Sequence, residues 1–186
     1  FLVFELPDRL VLLDQHAAHE RVLFERFLAQ PPAPQEMLFP LCFDVSQEED
    51  ERLSASAASL QSIGITLHRA GRNAWELTAL AADFVPLAGA DLVEMLRGAG
   101  MGSEERWKRA LLARAACRIA IKEGDPVDPV TARELCAKVL QLDNPRCPHG
   151  RPLWHEITRE ALYGLVDRPA EHEPTSARPE ASAPQP

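Results

Sequence analysis

Residues 14–25 read Asp-Gln-His-Ala-Ala-His-Glu-Arg-Val-Leu-Phe-Glu and follow the apolar, strand-like run at 10–13. Asp is a preferred residue at a helix N-cap, so Asp14 predicts a helix that begins at residue 15. A spacing of four places His16 and Glu20 one turn apart on the same face of that helix. An Asp, a His and a Glu gathered at one helix start can bind a divalent cation.

The order of these donors differs from that of the zinc peptidases. Peptidase helices carry H-E-x-x-H or H-x-x-E-H, whereas this chain has His16-x-x-His19-Glu20. Taken alone, the segment also fits a capped amphipathic helix that packs four residues inward, namely Ala17, Leu23, Phe24 and Phe27. A metal site is the better interpretation only if other parts of the chain supply donors.

Two further segments supply candidate donors, and the first is Cys147-Pro148-His149-Gly150-Arg151-Pro152. Because Pro148 favours an extended Cys147, we predict an extended segment in which Cys147 and His149 point the same way and reach one ion. Cys and His are preferred zinc ligands. The second candidate is Cys117, inside a helix predicted over about 103–122, although such a cysteine alone is more typical of a core.

Together, these motifs resemble the C-terminal endonuclease domain of the MutL family of DNA mismatch-repair proteins. The family motif D-Q-H-A-x-x-E-x-x-x-x-E is matched at every specified position of 14–25. The family's A-C-R is matched at 116–118, and its C-P-H-G-R-P at 147–152. A fourth motif, Gln-Glu-Met-Leu-Phe-Pro at 35–40, resembles the peptide that docks on the replication sliding clamp. The resemblance extends over roughly residues 1–166.

The resemblance implies a metal-dependent endonuclease that nicks one strand of duplex DNA, and it implies a role for each motif residue. The catalytic residues would be Asp14, His16 and Glu20. The metal ligands would be Asp14, His16, Glu20, Cys117, Cys147 and His149. Supporting or substrate-contacting residues would be Gln15, Glu25, Arg118 and Arg151. The clamp-binding residues would be Gln35, Met37, Leu38, Phe39 and Pro40.

The donor types predict more than one kind of ion. Thiolates favour Zn²⁺, whereas carboxylates and water suit Mn²⁺ or Mg²⁺. The family resemblance points the same way, to a structural or regulatory Zn²⁺ and a catalytic Mn²⁺, with Mg²⁺ as an alternative. Two ions about 3.5–4 Å apart would serve the attacking and leaving oxygens of the phosphodiester.

The resemblance also implies partners. It predicts a homodimer, double-stranded DNA as substrate, the sliding clamp, and the mismatch-recognition protein MutS reached through the full-length protein. An N-terminal ATPase domain and a linker are expected outside this chain. The alternative function is a non-catalytic dimerisation and scaffold domain with a structural zinc site. The intact motifs at 14–25 and 147–152 favour the enzyme.

Composition limits these expectations. The 186 residues carry 20 basic and 28 acidic side chains, a net charge of −8, which is unlike a free-standing DNA-binding protein. DNA binding must therefore depend on local basic patches or on partners. The four cysteines lack the spacing of a disulfide scaffold, and Cys42 and Cys136 fall in apolar patterns that predict packing roles. With no membrane-length apolar run, a cytoplasmic, nucleoid-associated protein is expected.

The pattern of elements predicts a mixed α/β (α+β) fold with two lobes. By the resemblance, residues 1–44 and 143–168 form a strand-rich dimerisation lobe, and residues 45–142 form a mostly helical external or regulatory lobe. The metal site is expected near their junction, which requires both chain ends to meet. Residues 169–186, rich in Pro, Ala, Ser and Glu, predict a disordered tail.

Overall fold

The computed structural model describes residues 1–30, 33–87 and 89–168. The predicted disordered tail at 169–186 lies outside these residues, as do Pro31 and Pro32 of the predicted connector. The elements in chain order are β1 (Leu2–Glu5), β2 (Arg9–Leu13), α1 (Gln15–Ala29), β3 (Pro34–Asp44), α2 (Gln47–Gln61), β4 (Ile65–Gly71), β5 (Ala74–Ala81), a 3₁₀ helix (Ala82–Leu87), α3 (Ala90–Arg97), α4 (Glu104–Ile119), α5 (Pro129–Leu140), β6 (Trp154–Thr158) and α6 (Arg159–Leu165). The mixed α/β class is confirmed.

The first sheet joins the two ends of the chain. Its antiparallel order is β1-β2-β6, and Leu13 at the end of β2 pairs with Leu2 on one side and Trp154 on the other. The sheet therefore places the start of α1 beside the segment that precedes β6. This juxtaposition brings the motif at 14–25 close to the motif at 147–152.

The second sheet has the antiparallel order β3-β5-β4. β4 and β5 form a hairpin, and Asn73 in its turn has a φ of 58°. Residues 45–142 contain this hairpin beside α2, α3, α4 and α5, so helix predominates over strand in the middle segment. Moreover β3, which the sequence placed in the first lobe, pairs with β5. β3 thus belongs to the sheet of the middle segment and not to the sheet that joins the chain ends.

Two apolar cores fill the molecule, and α1 contributes to both. Ala17 and Ala18 pack into the smaller core beneath the first sheet, whereas Phe24 and Phe27 pack into the larger core beneath the second. α5 also packs into the smaller core, through Leu135, Val139 and the half-buried Cys136. This is a second difference from the predicted boundary, because residues 129–140 had been placed in the external lobe. The first turns of α1 therefore lie where the two halves meet.

Local capping explains several element boundaries. Ser46 and Glu49 form a reciprocal capping box at the start of α2, and Thr158 caps α6. Asp128 caps α5, with Pro129 in the first turn. Among the described residues, no helix is both long and apolar enough to cross a membrane. One packing prediction is wrong: Cys42 is exposed, because it lies on the solvent face of the edge strand β3.

Candidate metal centre

The start of α1 is fixed by Asp14. Its Oδ1 accepts a hydrogen bond from the Ala17 N–H at 3.0 Å, which is N-cap geometry. Its backbone N–H donates to the Leu153 carbonyl at 2.9 Å. Asp14 therefore ties the helix start to the segment that carries the second motif. The cap uses one carboxylate oxygen, and the side chain also borders a cavity described below.

His16 is oriented for an ion by a backbone carbonyl. Its Nδ1 lies 2.8 Å from the Ile121 carbonyl oxygen, so the proton is on Nδ1 and Nε2 keeps its lone pair. Nε2 lies 3.8 Å from the Cys117 Sγ. Holding one ring nitrogen by a carbonyl is the usual way in which a metal-binding histidine is positioned. Cys117 and His16, 101 residues apart, thus face each other.

The segment at 147–150 is a tight turn, so the prediction of an extended segment is wrong. The Gly150 N–H donates to the Cys147 carbonyl at 2.9 Å, and Gly150 has a φ of +87°. Pro148 occupies the second turn position, where its fixed φ is favourable, as is Gly at the fourth. The turn nevertheless brings the Cys147 and His149 side chains to one place, as predicted.

Glu20 lies between the two halves of the site. It is 3% exposed, and its Oε1 lies 2.6 Å from His149 Nδ1. The approach is close but lacks hydrogen-bond geometry, so this buried oxygen has no hydrogen-bond donor in the described ranges. A buried carboxylate without a donor is costly. A cation bound by Glu20 and its neighbours would remove that cost.

Two groups of donors share Glu20. In one group the ligand atoms of His16, Glu20 and Cys117 lie within 4.8 Å of one another, and in the other those of Glu20, Cys147 and His149 do. The donors are imidazole, carboxylate and thiol, which suit Zn²⁺. These five residues therefore fit one or two divalent ions. Asp14 is the only predicted ligand that neither group contains.

The electrostatics of Cys117 also fit a bound cation. Burial raises the pKa of its thiol, and the nearby Glu20 carboxylate raises that pKa further. Without a cation the thiol therefore stays protonated. A divalent ion reverses this preference, because a coordinating thiol is deprotonated outright.

Sequence reasoning missed the role of the Ile121 backbone. The Nδ1–H of His16 donates a hydrogen bond to the Ile121 carbonyl, and His19 Nδ1 accepts a hydrogen bond from the Ile121 N–H at 3.0 Å. Burial, helped by positive charges including Arg26, lowers the pKa of His19, which keeps the ring neutral and able to accept. His19 thus supports the Ile121 backbone behind the site and belongs to neither donor group. A contact more than 100 residues away in sequence leaves no local signal.

The supporting residues take separate positions. Gln15 is buried, and its Nε2 donates to the carbonyls of Lys122 and Asp125, each at 3.0 Å. Gln15 therefore anchors the loop after α4. Glu25 forms an ion pair with Arg21, which lies one turn earlier in α1.

A cavity of about 450 Å³ opens in front of the His16–Cys117 pair. It is bordered by Phe1, Asp14, Gln15, His16, Cys117, Arg118, Lys122, Glu123 and Arg151. Arg118 also approaches Asp91 at 3.3 Å, and both side chains are half-exposed. The cavity therefore places three cationic side chains beside the donors. Lys122 had not been predicted there; its Nζ donates to the Cys117 and Arg118 carbonyls and so closes the end of α4.

The hexapeptide at 35–40 lies on the edge strand β3, away from the donor groups. Glu36 pairs with Ala79 and Leu41 pairs with Leu77, so residues 37–40 bulge out opposite one residue of β5. Leu38 is 87% exposed and Phe39 is 80% exposed. Met37 instead packs partly against the larger core. Gln35 is exposed just before this bulge, and Pro40 is exposed within it.

The fold and the donor groups define a mixed α/β domain with a candidate site for divalent cations. A family model described as the MutL C-terminal dimerisation domain matches residues 1–127. The chain belongs to this family. It is 33% identical over 172 residues to the DNA mismatch repair protein MutL of Treponema pallidum (strain Nichols), covering 90% of this chain and 27% of that protein.

Two other relatives carry the same name. The DNA mismatch repair protein MutL of Syntrophobacter fumaroxidans is 33% identical over 178 residues, covering 90% of this chain and 26% of that protein. The DNA mismatch repair protein MutL of Geotalea uraniireducens is 34% identical over 177 residues, covering 86% of this chain and 28% of that protein. The chain thus spans about a quarter of the length of these relatives.

Proposed function

We propose that this chain is a metal-dependent endonuclease domain that nicks one strand of duplex DNA in mismatch repair. The observation that carries the proposal is the Glu20 side chain, whose buried Oε1 has no hydrogen-bond donor among the described residues and which belongs to both groups of metal-binding side chains. Bound divalent cations would lower the pKa of a water molecule and neutralise phosphate charge. The motif resemblance supports DNA as the substrate.

The chain's own residues prepare this chemistry. The Ile121 carbonyl accepts a hydrogen bond from His16 Nδ1 and so leaves Nε2 available to a cation. The turn at 147–150 places Cys147 and His149 beside Glu20. The cationic side chains of Arg118 and Arg151 border the cavity, where they can attract a phosphodiester. We expect Zn²⁺ at the thiol-containing groups and Mn²⁺ or Mg²⁺ in the catalytic role.

The test is a nicking assay on supercoiled plasmid with Mn²⁺. Glu20→Gln keeps the shape of the side chain but removes the charge that both donor groups share, so we expect nicking and zinc content to fall together. Cys147→Ser should lower zinc content in the same way. His68→Gln is the matched control, because His68 lies exposed on β4 outside both groups. Equal nicking by all four proteins would remove these residues from the reaction.

The alternative function is a non-catalytic dimerisation and scaffold domain with a structural zinc site. The family model supports dimerisation, and the four thiol and imidazole donors suit a structural ion. Under this alternative, the purified chain binds zinc and forms a dimer in sedimentation analysis but never nicks plasmid. The substitutions Glu20→Gln and Cys147→Ser would then change stability alone.

We also propose that the bulge at 37–40 docks on the replication sliding clamp. Leu38 and Phe39 are large apolar side chains exposed next to each other, a combination typical of binding surfaces. Replacing Gln35, Leu38 and Phe39 by Ala should abolish clamp binding in surface plasmon resonance. Val85→Ala is the control, because Val85 is also exposed but lies on the 3₁₀ helix. Unchanged clamp binding would leave the bulge with a purely structural role.

The partners of the complete protein follow from the same proposal. We expect a homodimer, contact with MutS through the full-length protein, and control by an N-terminal ATPase domain. These expectations extend the mismatch repair function of the named relatives to this chain. Localisation at the nucleoid would follow from DNA binding.

A further inference from the structure

A second basic pocket lies behind the candidate metal centre. It has a volume of about 370 Å³, and its cationic lining consists of Arg21, Arg109 and Arg146. No carboxylate is among the residues that line it in the described chain. In a chain of net charge −8, three guanidinium groups around one concave surface form a local anion-attracting site.

The three arginines keep hydrogen-bonding capacity for a ligand. The Nε of Arg21 is buried and has no acceptor within the described ranges, although the same side chain pairs with Glu25 through Nη2. Arg109 lies over the Phe24 ring at 5.2 Å and forms no ion pair with another described residue. Arg146 uses Nη1 to hold the Gly150 carbonyl at 2.9 Å. Even with Glu25 counted, the pocket has an excess of positive charge.

The pocket shares a wall with the metal centre. Cys147 lines the pocket, and its Sγ belongs to the donor group with Glu20 and His149. Arg21 follows Glu20 directly in α1. A phosphate held by the arginines would therefore lie beside Cys147, which is itself one of the candidate donors.

We propose that this pocket binds a phosphodiester of the DNA backbone and so sets which neighbouring phosphodiester reaches the metal centre. This inference rests on the proposed endonuclease function. Arginine is suited to the ligand, because its planar fork can form two parallel hydrogen bonds with a phosphate. The volume exceeds that of one phosphate group, and the apolar wall of Ala110, Ala113 and Pro148 suits the adjoining deoxyriboses.

The direct test measures binding of a short labelled duplex by fluorescence anisotropy, without added Mn²⁺ so that the DNA is not cut. The variant is Arg109→Gln/Arg146→Gln in the full chain, with Arg72→Gln as the control for a change of surface charge in the β4–β5 turn. We expect the double variant to bind about tenfold more weakly at low salt and to lose about 0.9 from the slope of log affinity against log salt, the value for one phosphate contact. Arg72→Gln should match the parent.

Two further readouts separate positioning from folding. Zinc content and Tm of Arg109→Gln alone should equal those of the parent, because Arg109 is not a candidate ligand, whereas Arg146 also holds the Gly150 carbonyl of the turn that carries Cys147 and His149. In plasmid nicking, Arg109→Gln should raise KM several-fold and leave kcat unchanged, because it removes a phosphate contact and no candidate metal ligand. Loss of zinc would mean that the arginines support the fold, and it would overturn the proposal.

The outcomes distinguish this inference from the proposed function. If the parent nicks plasmid but the double variant binds DNA with the parental affinity and salt slope, the pocket is not a DNA site and the endonuclease remains. If the parent never nicks but the double variant loses DNA binding, the pocket is supported and the endonuclease fails. Binding of inorganic phosphate or a nucleoside triphosphate that depends on Arg109 and Arg146, without any effect on duplex binding, would overturn the proposal in favour of a soluble ligand. A parent without measurable duplex affinity would also overturn it.

Discussion

Substitutions at Asp14 can separate its role in helix capping from its proposed role at the metal site. Its Oδ1 caps α1, while its side chain borders the cavity in front of His16 and Cys117. Asn caps a helix about as well as Asp, so Asp14→Asn should change stability by less than about 0.5 kcal/mol. Asp14→Ala removes the cap and should cost about 1 kcal/mol. For a chain of this size, that cost corresponds to a fall in Tm of about 2–4 °C.

Nicking should respond differently from Tm. If the Asp14 carboxylate also serves the cation or the substrate, both variants should lose about 100-fold in plasmid nicking with Mn²⁺, a loss typical of groups next to a metal. Asp128→Asn is the matched control, because it makes the same change at the cap of α5, away from the cavity. Nicking by Asp14→Asn at the level of Asp128→Asn would limit Asp14 to capping. An unchanged Tm for Asp14→Ala would contradict the capping geometry itself.

Three further predictions concern stability. Asp50 is buried and accepts a hydrogen bond from Trp75 Nε1 at 2.8 Å. In urea denaturation, Asp50→Ala should therefore lower the free energy of unfolding by about 3 kcal/mol, and Asp50→Asn should lower it by about 1 kcal/mol. Equal values for the two variants would refute the role of this hydrogen bond. The Thr131 hydroxyl and backbone N–H bonds hold the pKa of Asp128 below its usual 3.8, so its contribution is complete above that pH and is lost as the pH falls further. The Tm of the parent should therefore fall relative to Asp128→Asn as the pH drops below about 4, and parallel curves would exclude this linkage. Zinc at 100 times its Kd should stabilise the parent by about 2.7 kcal/mol, and EDTA should reverse this stabilisation. Cys147→Ser should not be stabilised by zinc. If EDTA destabilises Cys147→Ser as much as the parent, the assignment of Cys147 as a ligand is contradicted.

Features with a local physical cause could be predicted from the sequence. The start of α1 follows from the capping preference of Asp14, and that of α2 follows from the reciprocal bonds of Ser46 and Glu49. The approach of Glu20 to Cys147 was expected only because the motif resemblance required the chain ends to meet. Pairing of β2 with β1 and β6 supplies the physical reason for that approach.

Features that depend on distant partners could not be predicted. The pairing of β3 with β5 depends on the whole second sheet, so the sequence alone placed this strand with the first lobe. Pro148 is compatible with an extended segment and with the second position of a turn, and only the Gly150–Cys147 hydrogen bond decides between them. The hydrogen bonds of His16 and His19 with the Ile121 backbone join residues more than 100 positions apart in the sequence.

The bulge in β3 has an evolutionary consequence. Between the pairs formed by Glu36 and Leu41, four residues lie opposite only Thr78, and the strand resumes its pairing afterwards. Substitutions at Leu38 and Phe39 therefore leave the ladder intact and remove almost no buried surface. Selection can alter the affinity of this segment for a partner without a compensating change in the sheet, so recognition and folding can diverge separately in related chains.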